Sequence, residues 1–395
     1  MQSQRISNLS LASTDSEAER VVAATCVRFA LLGPLLLTAD GTPLPLGTPK
    51  QRAILAMLLI NRNRAIGTEA LIDAAWDQSP VSAARTSIHS YVSNLRRVLS
   101  TAGIDSYTML ASAPPGYRLS VADGECDMDR FITAKTAGMK AAVVGRFDEA
   151  SHHFSTALSE WRGPALDDLS SFSFVASFAT ALTEDYMLTQ IARAEAEIAC
   201  GRAGAIIGEL ESLAAKHPYR EPLWAKLITA YYIAERQSDA LEAYRRLKTA
   251  LADDLGIDPG PTIDALHTQI LRQQPLDTKR AAKTTAKRAM STNWASTRQS
   301  LTAGLRDADG RHYPLRSAAT RIGRLPDNDI VLDNDDVSRH HAVIVDTGGS
   351  FVITDLRSVN GVEVQQQPLR PSATLADGDV ISICGHDFIF EIERR

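Results

Sequence analysis

Long apolar runs are missing from this sequence. No uninterrupted stretch approaches the roughly 18–20 residues that a membrane-spanning helix needs, so no bilayer crossing and no membrane partner is expected. Cysteine is scarce, with Cys26, Cys126, Cys200 and Cys384 standing alone. Spacings this wide fit neither a metal-ligand set nor a redox pair, and isolated thiols suit a reducing cytoplasm. The opening MQSQRISNLSLASTDSEAERVVAATC lacks the basic start and continuous apolar core of a secretory signal; it reads as a polar, disordered leader over residues 1–26. Also missing are a phosphate-cradling glycine loop, a nucleophile with its base, and a metal-ligand cluster. No enzyme activity, no cofactor and no metal are therefore expected.

What is present is material for several cores: 44% of the 395 residues are hydrophobic, and the length suits about three domains. The net charge of −5 is unevenly spread. Residues 27–120 carry nine Lys/Arg against five Asp/Glu, and residues 121–274 carry 15 against 23. Residues 275–300 carry six against one, and residues 301–395 carry 10 against 15. The local sign favours a polyanionic partner for the first domain, although the whole chain is acidic.

The chain is organised around SAARTSIHSYVSNLRRVL, residues 82–99. At 100° per residue Ile88, Tyr91, Val92, Leu95, Val98 and Leu99 fall in one apolar arc. The opposite face gathers Arg85, Thr86, His89, Ser90, Ser93, Asn94, Arg96 and Arg97, with no acid. Arginines with small hydroxyls and amides suit a DNA major groove, where they reach phosphates and base edges. Short apolar runs with turn residues precede this stretch and predict a small sheet over residues 27–47. Thr48-Pro49 opens a helix, Thr68 caps a second, and YTMLASAPPGYRLSV predicts a hairpin behind the basic helix. Sheet, three helices and hairpin make a winged helix-turn-helix, with the hairpin as the wing. Tyr117 and Arg118 on that wing are further candidate DNA contacts, and Tyr117 fits the wing's own core equally well.

FALLGPLLL, GTPKQRAILAMLL, SIHSYVSNLRRVL and PPGYRL resemble the OmpR/PhoB-type DNA-binding domain of the Streptomyces antibiotic regulatory protein family. Residues 121–274 read as an all-helical, tetratricopeptide-like domain, with Ala205 and Ala240 35 residues apart. Trp161, Trp224, Tyr231, Tyr232 and Tyr244 are expected in its core. EWRGPALDDL, HPYREPLW and DALEAYRRLKTALADDLGIDPGPT resemble the bacterial transcriptional activation domain of the same family. Residues 275–300, rich in Lys, Arg, Ala, Ser and Thr, read as a basic linker.

Residues 301–395 turn to short strand-like runs and predict an all-β sandwich. Its loops hold Gly323-Arg324, Ser338-Arg339-His340-His341 and Ser358-Val359-Asn360-Gly361. This dispersed set resembles the forkhead-associated domain, which implies phosphothreonine binding. Carried over, Arg324 is the main partner of the phosphate, Ser338 donates its hydroxyl, Arg339 adds charge and Asn360 holds the peptide backbone. Gly323 and Gly361 allow tight turns, and His341 pins the loops from below. Val359 departs from the family, which commonly has a hydroxyl there; one lost charge-assisted bond weakens binding about ten- to a hundredfold.

The expected fold is thus multidomain α+β. The order of its three parts resembles a mycobacterial group within that regulator family. The resemblance implies a cytoplasmic transcription regulator that binds double-stranded promoter DNA and docks phosphothreonine of a serine/threonine protein kinase. The kinase would then phosphorylate the chain, with the tract 284–302 as candidate target. RNA polymerase and a second copy of the chain are further expected partners, though no dimer seam is legible. The alternative is a phospho-dependent adaptor or kinase inhibitor with little DNA binding.

Overall fold

Alternating apolar residues at Val27, Phe29, Leu35 and Leu37 build the first hairpin, β1 (Val27–Ala30) and β2 (Leu36–Ala39), which β3 (Thr42–Pro43) extends. The computed structural model describes residues 25–76, 83–292, 301–315, 319–326, 328–346, 351–369 and 372–394. Helix α1 (Pro49–Ile60) starts where the Thr48 hydroxyl accepts from the Gln51 amide and Pro49 takes a position that needs no donor. After β4 (Ala65–Gly67), α2 (Thr68–Trp76) braces α3 (Ala84–Thr101). Ile88, Val92, Leu95 and Leu99 of α3 are buried, the helical spacing the apolar arc predicted. A short α4 (Ser106–Met109) leads to the wing, β5 (Leu110–Ala113) and β6 (Gly116–Leu119), with β6 between β4 and β5.

The middle of the chain is helical: α5 (Asp127–Val144), α6 (Phe147–Ser159), α7 (Ser173–Ala199), α8 (Ala203–Lys216), α9 (Glu221–Ile233), α10 (Gln237–Leu255) and α11 (Pro261–Leu271). Gly145 closes α5 in the left-handed region at φ 85°, which a side chain resists, and so turns the chain into α6. Trp224, Tyr231 and Tyr244 are buried, while Trp161 and Tyr232 are half-buried. Ala240 is buried but Ala205 is exposed, so the small residue that closes the start of α8 is Ala203 instead.

The stretch read as a linker departs from that reading. Residues 278–292 form α12 (Thr278–Thr292), laid against α5 and α7. Ala282 and Ala286, one turn apart, are its buried contacts. Composition suggested a tether because alanine scarcely registers as core, yet alanines let two helix backbones approach closely.

Strands β7 (Leu301–Asp307), β8 (His312–Leu315), β9 (Ala319–Gly323), β10 (Ile330–Val331), β11 (Ala342–Asp346), β12 (Phe351–Asp355), β13 (Glu363–Val364), β14 (Gln367–Pro368), β15 (Ser372–Leu375), β16 (Val380–Ile383) and β17 (His386–Arg394) make the sandwich. One sheet runs β10-β9-β11-β12-β15 and the other β14-β13-β16-β17-β7-β8. Ile322, Ile344, Ile353 and Leu375 face Leu305, Ile381, Phe388 and Phe390 across the core.

The three parts share packing. Val343, Val345 and Val352, on the outer face of the first sheet, join the apolar cluster that contains Phe178 and Leu182 of α7 and the core of the winged helix. The Asp127 carboxylate at the start of α5 accepts from the backbone amides of Leu31 and Leu32, each at 2.9 Å. Asp168 accepts from the Leu35 amide at 2.8 Å and pairs with Arg52 at 2.8 Å. Arg62, just beyond α1, forms a buried ion pair with Asp129 and lies within electrostatic reach of Asp346 at the end of β11.

Candidate functional sites

The polar face of α3 is open. Arg85, Thr86, His89, Ser90, Ser93 and Arg97 are exposed, as is Arg118 on the wing beside it. Arg85 reaches Glu69 of α2, and both side chains are about two-thirds exposed, at 67% and 70%. Such a pair holds weakly in water, so a phosphate competes for the guanidinium. The Arg97 guanidinium donates from Nη2 to the Asn94 side chain one turn back, at 3.2 Å.

Two of the candidate DNA contacts turn inward. Tyr117 is buried, and its hydroxyl lies 2.5 Å from Nδ1 of His89. The ring is part of the wing's core, so its contact with DNA is corrected to a contact between wing and helix. Arg96 donates from Nε and Nη2 to the Leu110 carbonyl at 2.9 and 2.8 Å, and from Nη2 to the Ser112 hydroxyl at 3.1 Å. Its guanidinium also lies over the Tyr107 ring, 4.6 Å from the centroid. Arg96 therefore holds the wing against α3 and is largely withdrawn from a ligand. The wheel put it on the polar face correctly but gave no sign of the hairpin lying over it. Thr68, expected to cap α2, instead donates its hydroxyl to the Pro115 carbonyl of the wing at 3.3 Å.

At the other end of the chain, the three dispersed motifs converge on one rim of the sandwich. Gly323 ends β9 where an added Cβ would stand 2.4 Å from the Arg339 carbonyl oxygen and 2.9 Å from Nδ2 of Asn328, so only glycine fits. The next residue, Arg324, is half-exposed; its Nε donates to the Val337 carbonyl at 3.3 Å and Nη1 is 3.4 Å from the fully exposed Asp335 carboxylate. A dianion displaces so loose a partner easily. The Ser338 hydroxyl oxygen accepts from the Val359 amide at 3.1 Å, which leaves its proton free to be donated. Asn360 donates from Nδ2 to the Asp336 carbonyl at 2.8 Å, and Arg339 is exposed. Val359 projects its isopropyl group into solvent, 88% exposed, where a hydroxyl would face the same opening.

His341 is completely buried. Its Nδ1 accepts from the Ser338 amide at 3.1 Å, and its Nε2 donates to the Gly361 carbonyl at 2.8 Å. The ring thus links the two loops. Gly361 sits at φ 74°, a value that favours glycine.

Sequence reasoning passed over Asn328. Its Nδ2 donates to the Leu325 and Arg339 carbonyls, both at 2.8 Å, and its Oδ1 lies 3.1 Å from Nδ1 of His340. Flanked by aspartates it looked like turn chemistry alone. Cys384 was passed over too: its thiol donates to the Asp336 carbonyl at 3.1 Å, beside Asn360, and burial pushes its pKa up. Among the described residues no group of His, Cys, Asp and Glu is placed to hold a metal ion. No described helix is long and apolar enough to cross a membrane.

Three family models match in chain order. They are Transcriptional regulatory protein, C terminal, over residues 41–119, Bacterial transcriptional activator domain over 126–271, and FHA domain over 320–384. Transcriptional regulatory protein EmbR of Mycobacterium tuberculosis is 64% identical over 369 residues, which cover 92% of this chain and 95% of that one. The chain belongs to the EmbR family of transcriptional regulatory proteins. Transcriptional regulatory protein MoaR1 of the same species is 54% identical over 255 residues, 64% of this chain and 82% of its own length. A solved structure, Mycobacterium tuberculosis EmbR in complex with low affinity phosphopeptide, superposes with a TM-score of 0.89 at 63% identity and covers 93% of this chain and 98% of that chain. The winged helix, helical middle and sandwich expected from the sequence are those of this family, and the relatives are transcriptional regulators.

Proposed function

We propose that this regulator grips promoter DNA with α3 and the wing, and takes its signal at the sandwich rim from a phosphothreonine on a serine/threonine protein kinase. In this reading Arg85, Thr86, His89, Ser90, Ser93 and Arg97 enter the major groove, and Arg118 follows the neighbouring phosphates. Arg324 and Ser338 take the phosphate, Arg339 adds charge, and Asn360 turns to the peptide backbone. The protein carries out no chemistry of its own and works in the cytoplasm. RNA polymerase is the partner of the helical domain, and a second copy of the chain fills a tandem half-site.

One observation carries the reading: the Ser338 hydroxyl and the Arg324 guanidinium stand together on an open rim, each held by backbone partners and neither committed to a strong acid. The relative solved with a phosphopeptide supports it. Anisotropy titration of a labelled phosphothreonine peptide tests it. Arg324→Ala should weaken binding about ten- to a hundredfold. Equal binding of the unphosphorylated peptide, or no loss in the variant, overturns it. A gel shift on promoter fragments decides against an adaptor without DNA binding.

A further inference from the structure

Among the described side chains, helix α12 is held to the helical domain by two buried alanines, the half-buried Met290 and a polar knot at Thr285. Ala282 shares an apolar cluster with Phe147 and Ala199; Ala286 and the half-buried Met290 join one with Met139, Phe154 and Ala196. Alanine buries the least apolar surface of the aliphatic side chains, and Met290 near the end of the helix is only half-buried, so this seam has modest hydrophobic adhesion. The knot is Thr285: its hydroxyl donates at 3.0 Å to Oε1 of Glu195 on α7, the oxygen that also pairs with the Lys226 ammonium at 2.5 Å. The Glu195 side chain is 6% exposed. Thr284, one residue earlier, faces solvent and returns its hydroxyl to the Arg280 carbonyl of its own helix at 2.9 Å. Thr285 opens onto a groove of about 730 Å³ between α12, α9 and α11, lined also by Lys226 and Arg280.

We propose that Thr285 is a phosphorylation switch that releases α12 from α5 and α7. This rests on the kinase-docking reading above. The docked kinase transfers the γ-phosphoryl group of ATP to Oγ1 of Thr285. The new O–P bond forms as the bond to the bridging oxygen breaks, ADP leaves, and the hydroxyl proton passes to the kinase's base. The modified oxygen has lost the hydrogen it gave to Glu195 and carries nearly two negative charges beside that carboxylate. Lys226 is already shared with Glu195, and Arg280, the other cation of the groove, is carried on α12 itself and does not tie it to α7. The docked helix faces repulsion from Glu195 where it had a hydrogen bond. A seam of two alanines and one half-buried methionine cannot hold against it, and the apolar face around Phe154 and Ala196 is uncovered. The segment has to open before a kinase can seat it, and the same thin seam permits that opening.

Hydrogen–deuterium exchange on the full chain tests the switch. Thr285→Glu should speed exchange across 278–292 at least tenfold, and adding Glu195→Gln should reverse most of that gain. Thr284→Glu should leave the rate unchanged, and Thr285→Val, uncharged, should change it less than threefold. The native chain, treated with an autophosphorylated serine/threonine kinase domain and Mg-ATP, should carry phosphate on Thr285 and show the same faster exchange; it serves where Thr285→Glu fails to fold. Unchanged protection in Thr285→Glu, or phosphate found only at other residues, overturns the switch. Failure of the docking reading shows separately, as absence of phosphothreonine-peptide binding by the untreated chain.

Discussion

Arg96 and Arg97 sit side by side in α3, and the first is spent on the wing while the second faces solvent. Arg96→Ala leaves the Leu110 carbonyl short of two donors and should cost about 1–3 kcal/mol in a denaturant titration. Arg97→Ala should leave stability unchanged, weaken DNA binding, and lower the slope of log affinity against log salt by about one. A wheel cannot separate the two, because both lie on its polar side. At the sandwich rim, Val359→Thr restores the hydroxyl that the family pattern implies. It should tighten phosphopeptide binding about tenfold or more, read by the same anisotropy titration. The rim was legible because its residue types are demanded by chemistry: glycine where a Cβ collides, a histidine with one donor and one acceptor between two loops. Asn328 was not, since its bonds go to backbone carbonyls that come near only after folding.

Among the elements, helices and strands with a strong apolar period were readable, and α12 was not. Its stripe of alanines carries too little hydrophobicity to stand out against six basic residues between 275 and 300. Of the ion pairs around these helices, those such as Glu211–Arg246 were equally invisible because they join residues far apart in sequence, while Glu197 and Arg202 meet across the turn after α7, five residues apart. Two of them make stability depend on pH. Burial alone would raise the Glu197 and Glu211 carboxyls. Hydrogen bonds from Arg202 and Ser151 to the first, and from Arg246 and Tyr231 to the second, outweigh it and hold both below the ordinary 4.5. A carboxylate lowered on folding contributes stability above its unfolded value and loses it as pH falls through the folded one. Thermal melts should therefore be steady above pH 4.5 for these two groups and decline beneath it. Glu197→Gln with Glu211→Gln should flatten that decline.

At the scale of the molecule, one apolar cluster runs from the winged helix through α7 to the outer face of the sandwich. Val352→Asp places a carboxylate in that seam and should cost about 2–4 kcal/mol. The inward residues Ile344 and Ile353 are untouched, so the sandwich should keep its own fold. Calorimetry should show a separate sandwich transition in the variant, where the native chain melts with the seam intact. Motifs gave the order of the three parts but not this seam, because a sheet with apolar residues on both faces reads simply as a hydrophobic strand.

The valines at 343, 345 and 352 also restrict how such a protein can be recombined. A phosphothreonine reader transplanted from a relative whose sheet meets water on that side would bring polar groups to the junction with α7. The chimera would recognise its peptide and yet hang loose from the DNA-gripping half. Exchange of parts within this lineage therefore has to carry the valine face and the Phe178 surface together.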